Sequence, residues 1–344
     1  MSPATAPEPP DDPRPDHRLS LAAIARATTV IDPTFLGSPQ WVDPALSEAL
    51  GTELTVKLET ANPIRSFKGR GASFLARERL ATDPAALASG VVCASAGNWG
   101  QALAHACRAS GIATIVFAAR GASELKIRRM RALGAEVRLA GEDFDAAKDA
   151  AREHAEAIGA PFLEDGREAE VSEGHGTIAV ELLAGSAPAP DAILVPLGNG
   201  AMLAGIARWV KACAPEVEIV GVCARGADAM RRSWLAARAV PADAVDTIAD
   251  GIAVRVPVPE AVADLDGLVD DVALVEDADI VAAMRLALEG AGLMLEPAGA
   301  AGVAAALADR ERFAGRRVAV VACGSNVTVA DLARLGALDR TGGA

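Results

Sequence analysis

From position 54 onward, short apolar runs rich in β-branched residues alternate with Ala-rich stretches whose apolar positions recur every three or four residues. The first pattern is that of a buried strand, the second that of a helix with one face in the core. Strands are predicted over 54–59 (LTVKLE), 90–95 (GVVCAS), 113–118 (ATIVFA), 135–140 (AEVRLA), 192–197 (AILVPL), 217–222 (VEIVGV) and 317–323 (RVAVVAC). Helices are predicted over 66–80, 98–110, 123–133 and 143–158, with Gly111 and Gly134 as the stops of two of them. Strands apolar on both faces and alternating with helices imply a mainly parallel α/β sheet covered on both sides.

Length and composition refine this picture. At 344 residues the chain is expected to form two lobes. The boundaries are placed near Pro84 and Pro161: a large domain of 21–84 plus 163–344, a small domain of 85–162, and a flexible Pro-rich acidic tail over 1–20. A net charge of −13 argues against nucleic acid or an anionic membrane surface as partner. The apolar runs are too short to cross a bilayer, and the N-terminus lacks the basic start and apolar centre of a signal peptide. Five scattered cysteines without a C-x-x-C pair fit reduced thiols in a cytoplasm.

In parallel sheets, ligands bind beyond the carboxyl ends of the strands, and four strand-to-helix turns stand out. In ANPIRSFKGRGAS, Lys68 opens a helix beside Gly69 and Gly71. Each helical glycine costs about 1 kcal/mol against alanine, so the pair implies close approach of another body, such as a bound cofactor. Arg65 and Arg70 flank the lysine and no acid follows before Glu78, a setting that favours a neutral, nucleophilic amine. Lys68 is therefore either a solvated lysine or a Schiff-base lysine. In CASAGNWGQALA, Ser95, Gly97 and Asn98 sit at a helix start, as a carboxylate-binding turn or a plain cap. In PLGNGAMLAGIA the spacing is neither a Rossmann fingerprint nor a P-loop, but glycines between strand and helix suit a phosphate. In VVACGSNVT, Cys323 is a core thiol or one that faces a ligand heteroatom.

A carbonyl-reactive lysine, a phosphate cradle and a carboxylate turn together match pyridoxal 5'-phosphate (PLP) and an amino acid. SFKGRGA, SAGNWGQALA, GHGTIAVEL, PLGNGAMLAGIA, TIADGIAV, EPAGAAGVAA and VVACGSN occur in the order found in threonine/serine dehydratases, and the chain resembles these fold type II (tryptophan-synthase-β-like) PLP enzymes over 54–335. The resemblance implies that Lys68 carries PLP and acts as the base at Cα, with Phe67 packed nearby. It implies that Asn98 bonds the PLP 3-hydroxyl, and that Ser95, Ala96, Gly97, Asn98, Trp99 and Gln101 form the substrate side. Gly198, Asn199, Gly200, Ala201 and Met202 would wrap the phosphate. Glu296 would lie beside the pyridine ring, and Cys323 would face its nitrogen. A neutral thiol there leaves the ring largely unprotonated and favours prompt loss of a β-leaving group. The implied reaction is β-elimination from L-threonine, L-serine or a related β-hydroxy amino acid, giving a 2-oxo acid and ammonia. The alternative is β- or γ-replacement of the cysteine-synthase-like or threonine-synthase-like kind. A homodimer is implied by the resemblance alone.

Departures from the family sharpen the expectation. Ala96 stands where racemases carry a serine, so racemisation is not expected. Cys223 and Ala229 occupy the segment that supplies acidic cation ligands in relatives, so no metal is expected. Trp99 replaces a common histidine, and 163–176 (LEDGREAEVSEGHG) differs from the usual dehydratase wording. The chain ends soon after CGSN, so no C-terminal regulatory domain is expected. His105 and His175 lack acidic or cysteine neighbours at ligand spacing and read as structural; KIRRMR (126–131) reads as a solvated helix face.

Overall fold

The computed structural model describes residues 6–95, 97–185 and 188–338. Among these, nine strands form two sheets: β1 (Gln40–Val42), β2 (Glu53–Leu58), β3 (Val91–Ala94), β4 (Thr114–Ala118), β5 (Glu136–Leu139), β6 (Ala192–Pro196), β7 (Glu218–Ala224), β8 (Asp271–Val275) and β9 (Arg317–Ala322). The chain divides into two compact units, one of residues 1–37 and 62–177, the other of 38–61 and 178–344.

In the second unit the sheet order is β1-β2-β9-β6-β7-β8. Only β1 runs antiparallel to its neighbour; β2 pairs parallel with β9 from Glu53↔Arg317 to Leu58↔Ala322, and β9, β6, β7 and β8 continue in parallel. The inner strands β6, β9 and β7 are buried almost throughout, as their unbroken apolar runs require. Edge strands β1 and β8 are half-exposed and carry a weaker apolar signal, which is why periodicity missed them. The Pro297–Ala308 helix lies on this sheet, and its small residues let it come close. A Cβ on Gly302 would stand 3.1 Å from the Leu194 carbonyl oxygen.

In the first unit β3, β4 and β5 form a parallel sheet. The Phe144–Ile158 helix packs on it through Ala151 and Ala155 against Val92, Ala94, Ile115 and Phe117. Asp143 caps that helix by accepting the Ala146 N–H at 2.8 Å, and Gly159 ends it at φ 67°. The Asn98–Ala109 helix stops as its sequence indicates. Gly111 takes φ 68°, its N–H donates to Arg108 and that of Ile112 to Cys107, which is a Schellman ending.

The three-stranded sheet lies within 85–162 and the six-stranded one outside it, but compactness divides the chain elsewhere. The Leu21–Val30 helix packs on the Lys68–Glu78 helix, which packs on the Asn98–Ala109 helix, so all three belong with the small sheet. Nor is 1–20 a free tail to its end. Leu19 is fully buried, Ser20 caps the Leu21–Val30 helix, and the Arg18 guanidinium donates to the Arg167 carbonyl at 2.6 Å.

Candidate active site

Lys68 is the first residue of its helix. The chain enters through a turn built on Asn62, whose Oδ1 accepts the N–H groups of Ile64 at 3.2 Å and Ser66 at 3.3 Å. Arg65 takes a left-handed φ of 53° there, a conformation that costs a non-glycine residue about 1–2 kcal/mol. The Lys68 ammonium pairs with Asp165 and stands 4.7 Å from the centre of the Phe67 ring; the two charged side chains are only 14% and 7% exposed. The acid missing from the local sequence thus arrives from 97 positions away. This corrects the expectation of a like-charge setting.

The glycines beside the lysine also serve a different purpose from the one expected. A Cβ on Gly69 would enter the Phe35 ring, and one on Gly71 would lie 2.5 Å from the Val171 carbonyl oxygen and 2.7 Å from His175 Nε2. A Cβ on Gly174 would lie 2.7 Å from the Gly71 Cα. The close neighbours are protein: Gly71 and Gly174 let the Ala169–Ala184 helix settle against the lysine's helix. His175 is fully buried, its ring tilted against Phe67 at 4.7 Å. Burial pushes its pKa down to about 3; Asp165 opposes the shift, and Lys68 and Arg70 add to it. The Lys68 backbone is near enough to oppose it slightly too, yet neither ring nitrogen reaches hydrogen-bond geometry. His105 likewise gains an acid that its sequence neighbours lack, Asp32 at 3.8 Å.

After β3, the Ser95 hydroxyl oxygen accepts the N–H groups of Gly97 at 3.0 Å and Gly100 at 2.9 Å. Ser95 is therefore a helix cap, whatever else the turn binds. Asn98 begins the helix and is half-buried; Trp99 and Gln101 are buried, and the Trp99 indole N–H has no acceptor. Ala96 lies outside the described residues. Gly97 is covered by the methylenes of Lys126, and a Cβ on Gly100 would lie 2.5 Å from Met130 Sδ. Lys126, Ile127 and Met130 are buried, so 126–131 is not a wholly solvated face.

In the second unit, the loop after β6 leads into the Ala201–Cys213 helix through Gly200 at φ 104°. That helix has no acid in its first turn, and its cap residue, Gly200, has no side chain to bond its amides; Asn199 Oδ1 accepts the Ala201 N–H at 3.4 Å. Its remaining amides and dipole suit an anion. A Cβ on Gly198 would lie 2.9 Å from the Gly251 carbonyl oxygen, and one on Gly251 would lie 2.8 Å from the Ala298 Cβ. Beyond β9 the Cys323 thiol is buried, its Sγ 3.7 Å from the Ala298 carbonyl oxygen. Glu296 donates its N–H to Gly324 at 3.0 Å and accepts the Asn326 N–H through Oε2 at 3.1 Å. A Cβ on Gly324 would strike the Glu296 carboxylate. The second unit thus gathers the glycine loop, Glu296 and Cys323 around Gly251 and Ala298. Met202 is buried in the first turn of the loop's helix.

The chain matches the family described as "Pyridoxal-phosphate dependent enzyme" over residues 31–324. It belongs to that family. It is 35% identical to an L-threonine ammonia-lyase of Thermotoga maritima, over 83% of this chain and 70% of that protein. It is 35% identical to the biosynthetic L-threonine dehydratase of Pasteurella multocida, over 75% of this chain but only half of that longer protein. A solved structure of the processed form of threonine deaminase isoform 2 from Solanum lycopersicum superposes with a TM-score of 0.85 at 30% identity, covering 93% of this chain and 92% of that one. The fold is therefore fold type II, and the cofactor is PLP.

The residues present fit PLP. In kind, the first unit offers a shielded lysine amine that suits an aldehyde, and the second offers a left-handed glycine before a 13-residue helix that suits a phosphate, and a buried thiol at a strand end that suits a ring nitrogen. Among the described residues no group of three or more His, Cys, Asp or Glu side chains could hold a metal ion, and no helix is long and apolar enough to cross a membrane. Asp165 is the site residue that sequence reasoning missed. Its only local signal was the unusual wording of 163–176.

Proposed function

We propose that this chain is a PLP-dependent ammonia-lyase that converts L-threonine, L-serine or a related β-hydroxy amino acid into the 2-oxo acid and ammonia, the water lost by β-elimination being regained when the released enamine tautomerises and is hydrolysed. The observation that carries the reading is Lys68: a shielded lysine at a helix start, held against Phe67 and Asp165, in a chain whose family uses PLP. Lys68 would hold the cofactor's carbonyl carbon and, as an amine, would accept the proton from Cα. Bound PLP supplies the electron sink for that carbon. The 198–202 loop would hold the phosphate through backbone amides, and Asn98 would bond the 3-hydroxyl. Ser95, Gly97, Trp99 and Gln101 form the substrate side, the turn binding the carboxylate. Glu296 flanks the ring. Cys323 would offer the ring nitrogen a weak neutral partner, an arrangement that would favour loss of the β-hydroxyl.

Cytoplasmic residence and a homodimer belong to the same proposal. None of the five cysteines forms a disulfide, which suits a reducing compartment, and size-exclusion chromatography with light scattering measures the assembly.

The test is incubation with L-threonine and L-serine, with and without an added thiol, with 2-oxo acid and ammonia as readouts. Both products should appear without the thiol and should persist with it. A thioether product formed at their expense would favour the replacement reaction. Lys68→Ala should abolish both turnover and the visible absorbance of bound PLP; a yellow, active variant would refute the role of Lys68.

A further inference from the structure

Three acids fall within five positions of the unusual 163–176 segment: Glu164, Asp165 and Glu168. Two of them are engaged by other bases. Glu164 pairs with Lys148 and with Arg152 at 2.9 Å, and Glu168 pairs with Arg79 at 2.6 Å. Asp165 is the one whose carboxylate meets Lys68. The chain is anchored just before it: Phe162 bridges to Val92 of β3, and the Leu163 N–H donates to the Val92 carbonyl at 2.8 Å.

A lysine that exchanges its bond to a cofactor with an incoming amino group must keep its nitrogen beside the carbon where that exchange occurs. A carboxylate one hydrogen bond from that nitrogen is then within a few ångströms of whatever the substrate carries on Cβ. The nearby His175 adds no charge there, because burial keeps the imidazole neutral. Arg70 is fully buried and donates to Thr177 Oγ1 at 3.0 Å. The charge of Asp165 and its place beside the lysine are enough to act on a substrate; no free oxygen on the carboxylate is required.

We infer that Asp165 sets the charge class of the substrate: it favours amino acids whose Cβ carries a neutral or cationic hydrogen-bond donor and rejects those with a second carboxylate there. The inference rests on the proposed role of Lys68 and names a specificity-determining residue for that same site. A donor such as a hydroxyl can bond to the carboxylate, whereas an anionic substituent meets like charge at short range in a shielded setting.

The test uses two ligands with no β-leaving group, L-alanine and L-aspartate, titrated into the PLP-loaded enzyme and followed by the change in its visible spectrum. Wild type should bind L-aspartate about tenfold or more weakly than L-alanine, one factor of ten being about 1.4 kcal/mol. Asp165→Asn should bring the two affinities within about threefold of each other. Asp165→Glu, which keeps the charge, should keep the discrimination. A yellow wild type that binds both ligands equally overturns the inference and leaves the Lys68 assignment intact. So does an Asp165→Asn enzyme that weakens both ligands alike or preserves their ratio, the pattern of a purely structural carboxylate. A wild type that takes up no PLP overturns both.

Discussion

His175 is a fully buried imidazole with a pKa near 3, against about 6.5 in an unfolded chain. Between these values the unfolded chain binds the proton and the folded one does not, so its contribution to stability is intact above pH 6.5 and is lost as pH falls toward 3. From pH 7 to pH 5 this amounts to about 2 kcal/mol. His175→Gln removes the titration, so urea midpoints at the two pH values should differ less in the variant than in wild type. Equal slopes would show that the imidazole is reached by water. At this scale local context offered Lys68, Asn98, the 198–202 glycine loop and Cys323 as candidates. It marked 163–176 as unusual but could not name Asp165, because the sequence does not show which residue meets a partner 97 positions away.

Two glycines show how a helix turns the same residue to opposite uses. Gly71 lies inside the Lys68–Glu78 helix, and its missing side chain is a packing requirement set by the Val171 carbonyl oxygen. Gly111 follows the Asn98–Ala109 helix at φ 68° with open space around it, so its requirement is conformational. Gly71→Ala should gain about 1 kcal/mol of helix propensity but lose more to overpacking, a net destabilisation of about 1–3 kcal/mol. Gly111→Ala should cost about 1 kcal/mol from the left-handed backbone alone. Chemical denaturation ranks them, and a stabilised Gly71→Ala would mean that the two helices can part without loss. The helix ends were legible because capping chemistry is local. The partner of Gly71 was not, because the sequence shows that a side chain is absent but not what fills the gap.

For the whole molecule, PLP binding is linked to stability, since a ligand that binds only the folded chain stabilises it by about 2.7 kcal/mol at a hundredfold excess over Kd. Adding PLP to the apoprotein should raise Tm by several degrees. Lys68→Ala, which keeps the phosphate loop but loses the covalent link, should show a clearly smaller rise in differential scanning calorimetry. An equal rise in both would place the stabilising contact away from the lysine. Thiol oxidation should not confound the comparison at the most buried positions. Burial pushes the Cys107 thiol up to about 11 and the Cys223 thiol up to about 12, and Cys93 is raised as well.

The sequence by itself determined the parallel α/β class, the position of every inner strand and the membership of the PLP-dependent family. These depend on periodicity, capping and short motifs, all readable within a few residues. Only the tertiary structure decided what each motif touches. It placed Asp165 on Lys68, the Val171–His175 turn against Gly71, Lys126 over Gly97, and Glu296 against Gly324. Such contacts join segments far apart in the chain through charge and excluded volume, and neither leaves a periodic or local trace. The glycines beside Lys68 illustrate the division: their presence was plain from the sequence, and their reason is a neighbouring helix and a phenylalanine ring.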